Sequence, residues 1–359
     1  MEKIAFFAPM KSPNHPVPSG DREMARGVMR ALTRTDRDSV AELASETRCY
    51  DGRGDATVQA RLIDAAQCEA DKLIAQGGWS AWVTYHSYYK APDLLGPVVS
   101  QALGIPYVLI EATRAAKRLG GPWDRFARLA DASCEAADAI FYLTEQDYEG
   151  LQPYQKEDQP LVRLHPFLRR EDLPATTRPR GPDLFCAGMM RQGDKLASYE
   201  ILAAALAHLK APDWTLRIAG DGAARPEVVA LFSRFGDRVT FLGQLDSDQL
   251  QQAYADAAVF VWPGVNEAFG MVYLEAQAAG LPVVAQDRPG VRDVLPSAAM
   301  VPSAAPSLIA AEIDALLDTP AYWAMRATQA RALVAERHLL GAARDRLWSV
   351  LGPLMREKP

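Results

Sequence analysis

Two glutamates, Glu267 and Glu275, lie on either side of a predicted helix start, with seven residues between them. Gly270 precedes the helical segment, and Gly280 stands where a helix commonly ends. The N–H groups and the dipole at a helix start favour an anion, and carboxylate oxygens accept hydrogen bonds from hydroxyl groups. The residue types and their spacing therefore predict a site for a phosphorylated ligand that carries several hydroxyl groups.

The segment around these glutamates has the pattern of one βαβ unit. Residues 257–262 and 283–285 are apolar runs that predict buried strands, and a Pro-Gly loop with Glu267 follows the first run. Open α/β sheets bind ligands at the carboxyl ends of their strands, which is where this loop lies. Glu275 is on an otherwise apolar helix. It either faces solvent or has a polar partner, because burying an unpaired carboxylate is expensive.

A second group of polar residues follows the predicted strand at 184–187. Arg191 and Lys195 lie in a predicted turn after Gly188, at the end of this strand. Arginine can bind a phosphate through two parallel hydrogen bonds, and lysine adds a compact positive charge. Surface cations are common, so the turn alone is unspecific. Together with the two glutamates, it predicts a diphosphate site.

The first half of the chain holds two further candidates. Ser19, Gly20 and Asp21 precede the first predicted helix and indicate either a phosphate-facing loop or an ordinary βα turn with a helix cap. His86 follows a predicted strand and begins a polar, aromatic loop. A histidine at this position can exchange a proton or bind a sugar hydroxyl. The alternative is a histidine that only caps a helix or packs under the loop.

Residues 114–128 form a conspicuous basic and aromatic stretch, with Trp123 and Phe126 among five basic residues. One interpretation is a surface that binds an anionic acceptor or lipid headgroups. The other is the solvated basic face of a helix. The sequence leaves both open.

Strand and helix patterns alternate through two stretches of the chain, separated by a proline-rich and charged segment at 153–182. This alternation predicts an α/β fold with two Rossmann-like, doubly wound domains that face each other across a cleft. A length of 359 residues agrees with two domains. The region from about residue 307 onward has helical patterns.

Composition narrows the class of protein. The chain is 49% hydrophobic and 23% charged, with a net charge of −6, which argues against a dedicated nucleic-acid binder. The four cysteines are scattered and form no CxxC pair, so no metal or disulfide role is expected and a reducing cytoplasm fits. The N-terminal residues predict a strand rather than a signal peptide, and no apolar run reaches the roughly 18 residues that span a bilayer.

The second half of the chain resembles the retaining glycosyltransferases of family 4, which have the GT-B fold. The residues that carry this resemblance are Glu267 and Glu275 within the motifs NEAFG and LEA, GDG at 220–222, FLG at 241–243 and GLPVVA at 280–285. The resemblance implies transfer of a hexose-type sugar from a nucleoside diphosphate sugar with retention of anomeric configuration. A UDP-sugar is favoured and a GDP-sugar is next, with no metal and no cofactor.

Several features stay open within this resemblance. The acceptor is a sugar, a lipid-linked molecule or a small molecule, and no nucleic acid is expected. The alternatives to transfer are a nucleotide-sugar epimerase or another enzyme of the GT-B fold, and a non-catalytic homologue that binds a nucleotide sugar. The expected location is the cytoplasm, with a peripheral membrane contact through residues 114–128 left open.

The resemblance also implies roles for individual residues. Arg191 and Lys195 bind the donor diphosphate and stabilise the leaving group, while Glu275 holds the ribose hydroxyls. Glu267 holds the donor sugar, and His86 lies beside that sugar and the acceptor. The predicted catalytic residues are His86, Glu267, Arg191 and Lys195. The predicted donor site consists of Gly20, Gly188, Arg191, Lys195, Gly220, Leu242, Glu267, Ala268, Phe269, Gly270, Met271 and Glu275. The predicted acceptor residues are His86, Tyr88, Glu111 and Arg114.

The implied domain organisation has three parts. An N-terminal acceptor-binding domain is expected at 1–170, and a C-terminal domain that binds the nucleotide sugar is expected at 171–335. A final segment at 336–359 is expected to form a helix that packs back on the N-terminal domain.

Overall fold

Strands and helices alternate along the chain in two groups. The computed structural model describes residues 1–176, 181–302 and 305–358, so residues 177–180 of the predicted linker lie outside the described part. The chain divides into unit 1, Met1–Arg169 with Leu340–Pro359, and unit 2, Arg170–Leu339. Each unit is described by itself.

Unit 1 contains a six-stranded sheet in the order β2-β1-β3-β4-β5-β6, and every neighbouring pair is parallel. Its strands are β1 (Glu2–Phe7), β2 (Ser39–Leu43), β3 (Ala81–Ser87), β4 (Tyr107–Ala112), β5 (Ala139–Tyr142) and β6 (Leu161–Arg163). The chain changes direction across the sheet between β1 and β3. Such a switch point opens a crevice at the carboxyl ends of the two strands, where ligands bind.

The helices of unit 1 are α1 (Gly20–Leu32), α2 (Ala56–Gln76), α3 (Gly96–Leu103), α4 (Asp124–Ala136), α5 (Glu145–Leu151) and α12 (Leu340–Glu357). Side-chain caps are seen at the start of three of them. Ser19 caps α1, Asp55 caps α2, and Thr144 forms a capping box with Asp147 at the start of α5. The helix α12 packs on α1, where the indole N–H of Trp348 donates to the carbonyl of Ala31 over 3.2 Å.

Unit 2 repeats this architecture with a second parallel sheet in the order β12-β11-β10-β7-β8-β9. Its strands are β7 (Asp183–Ala187), β8 (Thr215–Ala219), β9 (Val239–Gly243), β10 (Val259–Val261), β11 (Val283–Gln286) and β12 (Met300–Val301). The switch point lies between β7 and β10. At this point β10 is fully buried and β7 is buried except for its first residue, Asp183, which explains their continuous apolar runs.

The helices of unit 2 are α6 (Asp194–Leu206), α7 (Arg225–Phe232), α8 (Ser247–Ala255), α9 (Met271–Ala278), α10 (Pro306–Asp318) and α11 (Pro320–Arg337). The sequence predicted a turn that contains Arg191 and Lys195, and for Lys195, which lies on α6, this was wrong. The helix begins at Asp194, because Gly193 takes a φ of 78° at the N-cap and an acidic residue is favourable in the first turn. Lys195 is therefore held on a helix rather than in a turn.

Apolar residues of the helices are buried in both units, including Leu202 of α6, Leu274 of α9 and Leu347 of α12. Among the described residues, no helix combines the length and apolar character needed to cross a membrane.

Candidate functional site

Lys195 and Glu267 form an ion pair at the switch point of unit 2. Lys195 lies in the first turn of α6, and Glu267 lies in the loop after β10, where its carboxylate accepts from the Lys195 ammonium. The indole N–H of Trp262 donates to the same carboxylate oxygen over 3.0 Å, and the ammonium lies 5.4 Å from the centre of the Trp262 ring. Trp262 is fully buried, so it fixes both charged side chains at the ends of two adjacent strands.

The loop around Glu267 is held by further side chains from α6. The amide nitrogen of Asn266 donates to the Asp194 carboxylate over 2.8 Å, and the backbone N–H of Val265 donates to the Ser198 hydroxyl over 2.9 Å. Asn266 itself adopts a left-handed backbone with a φ of 51°, which asparagine tolerates better than most residues. The first turns of α6 therefore set the position of Glu267.

Two glycine loops pack backbone to backbone beside this ion pair. A Cβ atom added to Gly220 would lie 1.9 Å from the carbonyl oxygen of Gly188, so the approach requires glycine. The N–H of Gly188 donates to Ala219, and the N–H of Met190 donates to Asp221, both over 3.0 Å. The backbones of the predicted donor residues Gly188 and Gly220 are thus in direct contact.

The loop that carries Ala268 and Phe269 is fixed from the other side by Gly290. A Cβ atom added to Gly290 would lie 1.4 Å from the Ala268 carbonyl oxygen. Gly270 then serves as the N-cap of α9 with a φ of 78° and with no side-chain cap. The first N–H groups of α9, beginning at Met271, can therefore donate hydrogen bonds to a ligand anion.

Glu275 has the polar partner that its place on an apolar helix requires. The hydroxyl of buried Tyr254 donates to the Glu275 carboxylate over 2.9 Å. Tyr254 lies on α8, so Glu275 is positioned by a neighbouring helix. Burial, followed by the charge of Glu275, raises the pKa of Tyr254 well above its ordinary value and keeps the hydroxyl a donor.

Two predicted donor residues of unit 2 are not joined to this group by a described contact. The guanidinium of Arg191 is exposed and its Nη2 lies 2.8 Å from the sulfur of Met189. Leu242 is half-buried on β9. Contacts between the described side chains thus bring Lys195 and Glu267 together. Arg191 lies in the loop that precedes α6 and extends from it.

In unit 1, His86 lies between two carboxylates at the switch point of β1 and β3. Its Nδ1 is 3.2 Å from Asp21 Oδ1, on the first turn of α1, and 3.7 Å from Glu111 Oε2, at the end of β4. His86 and Glu111 both have left-handed backbones, with φ values of 62° and 58°. Such strain in residues other than glycine is concentrated at functional sites. Gly20, the first residue of α1, is exposed beside Asp21.

The three charges of this cluster shift one another's ionisation. Burial opposes the charge on His86, but the charge of Glu111 and the contact with Asp21 outweigh it and raise the His86 pKa to about 9. Burial raises the pKa of Glu111 to about 7, against the opposing effect of His86. At neutral pH His86 is therefore a cation, and Glu111 is poised to gain or lose a proton.

The remaining predicted acceptor residues have different surroundings. The ring of Tyr88 packs 5.0 Å from the His86 ring, and its hydroxyl contacts the sulfur of Met10 at 3.6 Å. Arg114 is held 3.4 Å from Asp131 and 3.0 Å from Glu135. The charge of Arg114 is thus balanced within the protein, whereas Tyr88 continues the surface that begins at His86.

Comparison with known proteins identifies the family of unit 2. Residues 181–319 match the family model described as glycosyl transferases group 1. Unit 2 is a group 1 glycosyltransferase domain. This domain contains Arg191, Lys195, Glu267 and Glu275, and the predicted resemblance is confirmed.

A relative supports the same family over a larger part of the chain. The D-inositol 3-phosphate glycosyltransferase of Streptomyces bingchenggensis is 30% identical over 268 residues, which cover 66% of this chain. The match covers 59% of that relative, so this chain spans less than two thirds of the relative's own length.

Solved structures show the fold of the whole chain. Sucrose-phosphate synthase from Thermosynechococcus elongatus has a TM-score of 0.73 at 20% identity, covering 99% of this chain and 100% of that chain. HepE from Anabaena, in complex with UDP and glucose, has a TM-score of 0.70 at 16% identity, covering 98% and 100%. The group 1 glycosyltransferase domain therefore belongs to a two-domain α/β protein of the GT-B fold, as predicted.

Three residues that position the predicted ones were not among the predicted site residues. Asp21 was noted only as a helix cap, although its charge in the first turn of α1 is visible beside Gly20. Trp262 was placed only at the end of an apolar strand, and Tyr254 carried no signal at all. Their roles come from contacts across the fold, which a local pattern does not reveal.

Proposed function

We propose that this protein is a retaining glycosyltransferase that moves a sugar from a nucleoside diphosphate sugar to an acceptor hydroxyl without a metal ion. The donor is a UDP-sugar, with a GDP-sugar as the next candidate. The observation that carries the proposal is the contact between Lys195 and Glu267 at the switch point of a group 1 glycosyltransferase domain. The complex of HepE with UDP and glucose, in a protein of the same fold, supports UDP as the nucleotide.

Each part of the donor has a matching group in unit 2. Lys195, Arg191 and the N-terminal N–H groups of α9 supply positive potential for the diphosphate. Glu275, held by Tyr254, accepts hydrogen bonds from the ribose hydroxyls. Glu267 accepts hydrogen bonds from the transferred sugar. When the diphosphate binds, it competes with Glu267 for the Lys195 ammonium and frees the carboxylate for the sugar.

The transfer breaks the bond between the anomeric carbon and the diphosphate oxygen, and the electron pair leaves with the nucleoside diphosphate. Lys195 and Arg191 stabilise this developing negative charge, which is the largest electrostatic demand of the step. The sugar passes through an oxocarbenium-like state. The acceptor hydroxyl attacks from the leaving-group face and gives its proton to the departing diphosphate. No carboxylate acts as a nucleophile.

The acceptor half of the reaction belongs to unit 1. His86 and Tyr88 form a continuous ring surface at the carboxyl end of β3. Glu111 lies at ion-pair distance from His86, and Arg114 lies further along the same edge of the sheet. These groups bind and orient a sugar or another hydroxyl-bearing small molecule.

A thermal-shift screen of the intact protein against nucleotides and nucleotide sugars tests the proposal. Ligands that bind only the folded protein stabilise it by about 2.7 kcal/mol at a concentration 100 times the dissociation constant. We expect UDP and one UDP-sugar to raise the melting temperature most. A larger rise in melting temperature with GDP would assign a GDP-sugar as the donor. No rise with any nucleotide would overturn the proposed function.

A further inference from the structure

Two cations in unit 1 rest on a pair of aromatic rings beside the predicted acceptor residues. Tyr89 and Trp123 meet edge to face, with ring centres 5.7 Å apart. The Arg118 guanidinium lies 4.8 Å from the Tyr89 ring centre and 5.6 Å from that of Trp123. The Lys90 ammonium lies 5.7 Å from each ring centre. These distances are within the range of attraction between a cation and an aromatic ring.

Buried Asp51 ties the loops that carry this group together. Its backbone N–H donates to the Lys90 carbonyl over 2.8 Å, and its carbonyl accepts from the Trp123 indole N–H over 3.1 Å. Its carboxylate accepts from the Gln59 side chain and from the N–H groups of residues 53–55. The Asp51 carboxylate is thus occupied by hydrogen bonds close to it in the chain. The backbone hydrogen bonds of Asp51 connect the loops that carry Lys90 and Trp123.

The ion pairs of the described residues do not include Lys90 or Arg118. Within the ranges that the structure describes, no carboxylate lies at ion-pair distance from Lys90 or Arg118, and the buried Nε of Arg118 has no hydrogen-bond acceptor. Other basic residues nearby are neutralised, since Arg128 pairs with Asp124 and Arg114 pairs with Asp131 and Glu135. Lys117 and Arg125 are exposed, whereas Lys90 and Arg118 are half-buried. Lys90 and Arg118 are therefore the two cations that the fold holds on the rings of Tyr89 and Trp123.

The cation pair continues the ring surface of the acceptor half. The His86 ring packs on Tyr88 at 5.0 Å, and Tyr88 packs on Tyr89 at 5.5 Å. Tyr89 and Lys90 occupy the corner of a tight turn, closed by two backbone hydrogen bonds between Tyr88 and Ala91. This turn directly follows β3, at the sheet edge where α/β folds bind ligands.

We propose that Lys90 and Arg118, seated on Tyr89 and Trp123, form a subsite for the phosphate group of a small soluble acceptor. The guanidinium fork matches two phosphate oxygens, and the ammonium adds a second positive charge. The half-buried setting of both cations favours a compact anion over a membrane surface. The description of the ligand as an acceptor rests on the proposed function, whereas binding of the phosphate does not.

Calorimetric titration of the intact protein tests this subsite. The probes are inorganic phosphate and glucose 6-phosphate, glucose is the uncharged comparison, and UDP reports the donor site. The test variant is Lys90→Gln with Arg118→Gln. The matched control is Lys117→Gln with Arg125→Gln, which removes two positive charges from exposed positions of the same region.

We expect both phosphate probes to bind the wild type and glucose to bind far more weakly. The test variant weakens phosphate binding by about ten-fold or more, because charge-assisted contacts are lost. The control variant binds phosphate within about two-fold of the wild type, and UDP binding is the same in all three proteins. Equal losses in both variants, or no phosphate binding by the wild type, overturn the subsite.

The donor titration separates this inference from the proposed function. Phosphate binding that depends on Lys90 and Arg118, without any UDP binding, keeps the subsite and removes the glycosyltransferase proposal. Sedimentation with vesicles of equal parts phosphatidylglycerol and phosphatidylcholine is the second arm. Vesicle binding that is lost in the test variant, without binding of the soluble probes, overturns the assignment to a small acceptor.

Discussion

The ammonium of Lys195 and the carboxylate of Glu267 are bound to each other, although the two residues are 72 positions apart in the chain. Lys195 is the residue that we expect to bind phosphate, and Glu267 is the residue that we expect to bind the sugar. In the free protein these two residues thus bind each other. Trp262 holds both through its indole N–H and its ring face. A ligand that binds here must exchange this internal contact for its own contacts, which links phosphate binding to release of the Glu267 carboxylate.

Replacing Lys195 by alanine should weaken UDP binding. The loss of a charge-assisted contact to phosphate costs about 1.5–3 kcal/mol, which corresponds to roughly 10- to 150-fold in dissociation constant. Calorimetry with UDP measures the change. Lys210→Ala, at an exposed position of the same unit, removes an equal charge and serves as the control. Equal affinities of the two variants would remove Lys195 from the diphosphate site.

Because Glu275 is assigned to the ribose, substitution of Glu275 should weaken UDP binding more than substitution of Tyr254, which orients it. Glu275→Gln should weaken UDP binding by about ten-fold, since a carboxylate acceptor is replaced by a neutral amide. Tyr254→Phe removes only the 2.9 Å bond that orients this carboxylate, and about 0.5–1.5 kcal/mol should be lost. Calorimetry against Glu200→Gln, which changes an exposed carboxylate, tests the order. Unchanged UDP affinity in Glu275→Gln would refute the assignment.

The cluster around His86 should titrate as a coupled group. Removing the Glu111 charge by Glu111→Gln should lower the His86 pKa from about 9 toward the ordinary value of 6.5. NMR titration of the imidazole nitrogens measures this change, with Glu149→Gln as an exposed control. A His86 pKa that is equal in both variants would show that Glu111 does not set it.

The same shifts predict how stability depends on pH. The folded protein holds protons on Glu111 and His86 more tightly than the unfolded chain, because both pKa values are raised. The contribution of these groups to the free energy of unfolding is therefore full below pH 4.5 and falls as the pH rises to about 9. In urea unfolding, Glu111→Gln should reduce this fall.

Gly290 should tolerate no side chain. In Gly290→Ala the new Cβ atom would overlap the Ala268 carbonyl oxygen, and we expect a loss of about 2–3 kcal/mol together with weaker UDP binding. Urea unfolding measures the loss. Gly150→Ala is the control, because it lies in α5 with open space around its Cβ direction. An unfolding midpoint equal to that of the wild type would contradict the close approach.

Removal of divalent metal ions should leave turnover within about two-fold of its starting value. Lys195, Arg191 and the start of α9 supply the positive potential that the leaving diphosphate needs. Release of UDP from the best donor of the thermal-shift screen, measured with and without EDTA, tests this. Loss of turnover with EDTA and its recovery with Mg²⁺ or Mn²⁺ would show a metal-dependent reaction.

The strands were the most predictable elements, because their apolar runs are continuous. The sequence predicted a strand at 184–187, and β7 spans Asp183–Ala187. The short edge strand β2 was missed, since only two of its five residues are buried. The start of α6 was misplaced because Gly193 and Asp194 were assigned to a turn rather than to a helix cap. Local patterns thus located buried strands better than helix ends.

The site was predictable by residue type and not by contact. Glu267 and Lys195 follow strands and His86 lies near the end of β3, so all three were recognisable from chemistry and position. Their partners Trp262, Asp21 and Glu111 depend on which strands become neighbours, and a single sequence does not state that order. The strain at His86 and Glu111 was equally hidden, because left-handed backbone is unusual for these residue types.

Unit 1 is built from two separated parts of the chain, residues 1–169 and the segment from Leu340 onward. During synthesis its sheet emerges first, but α12, which packs on α1 through Trp348, emerges only after all of unit 2. Unit 2 can close while unit 1 still exposes the apolar side of α1. The order of translation therefore leaves nascent unit 1 as the stage most open to chaperone binding and aggregation.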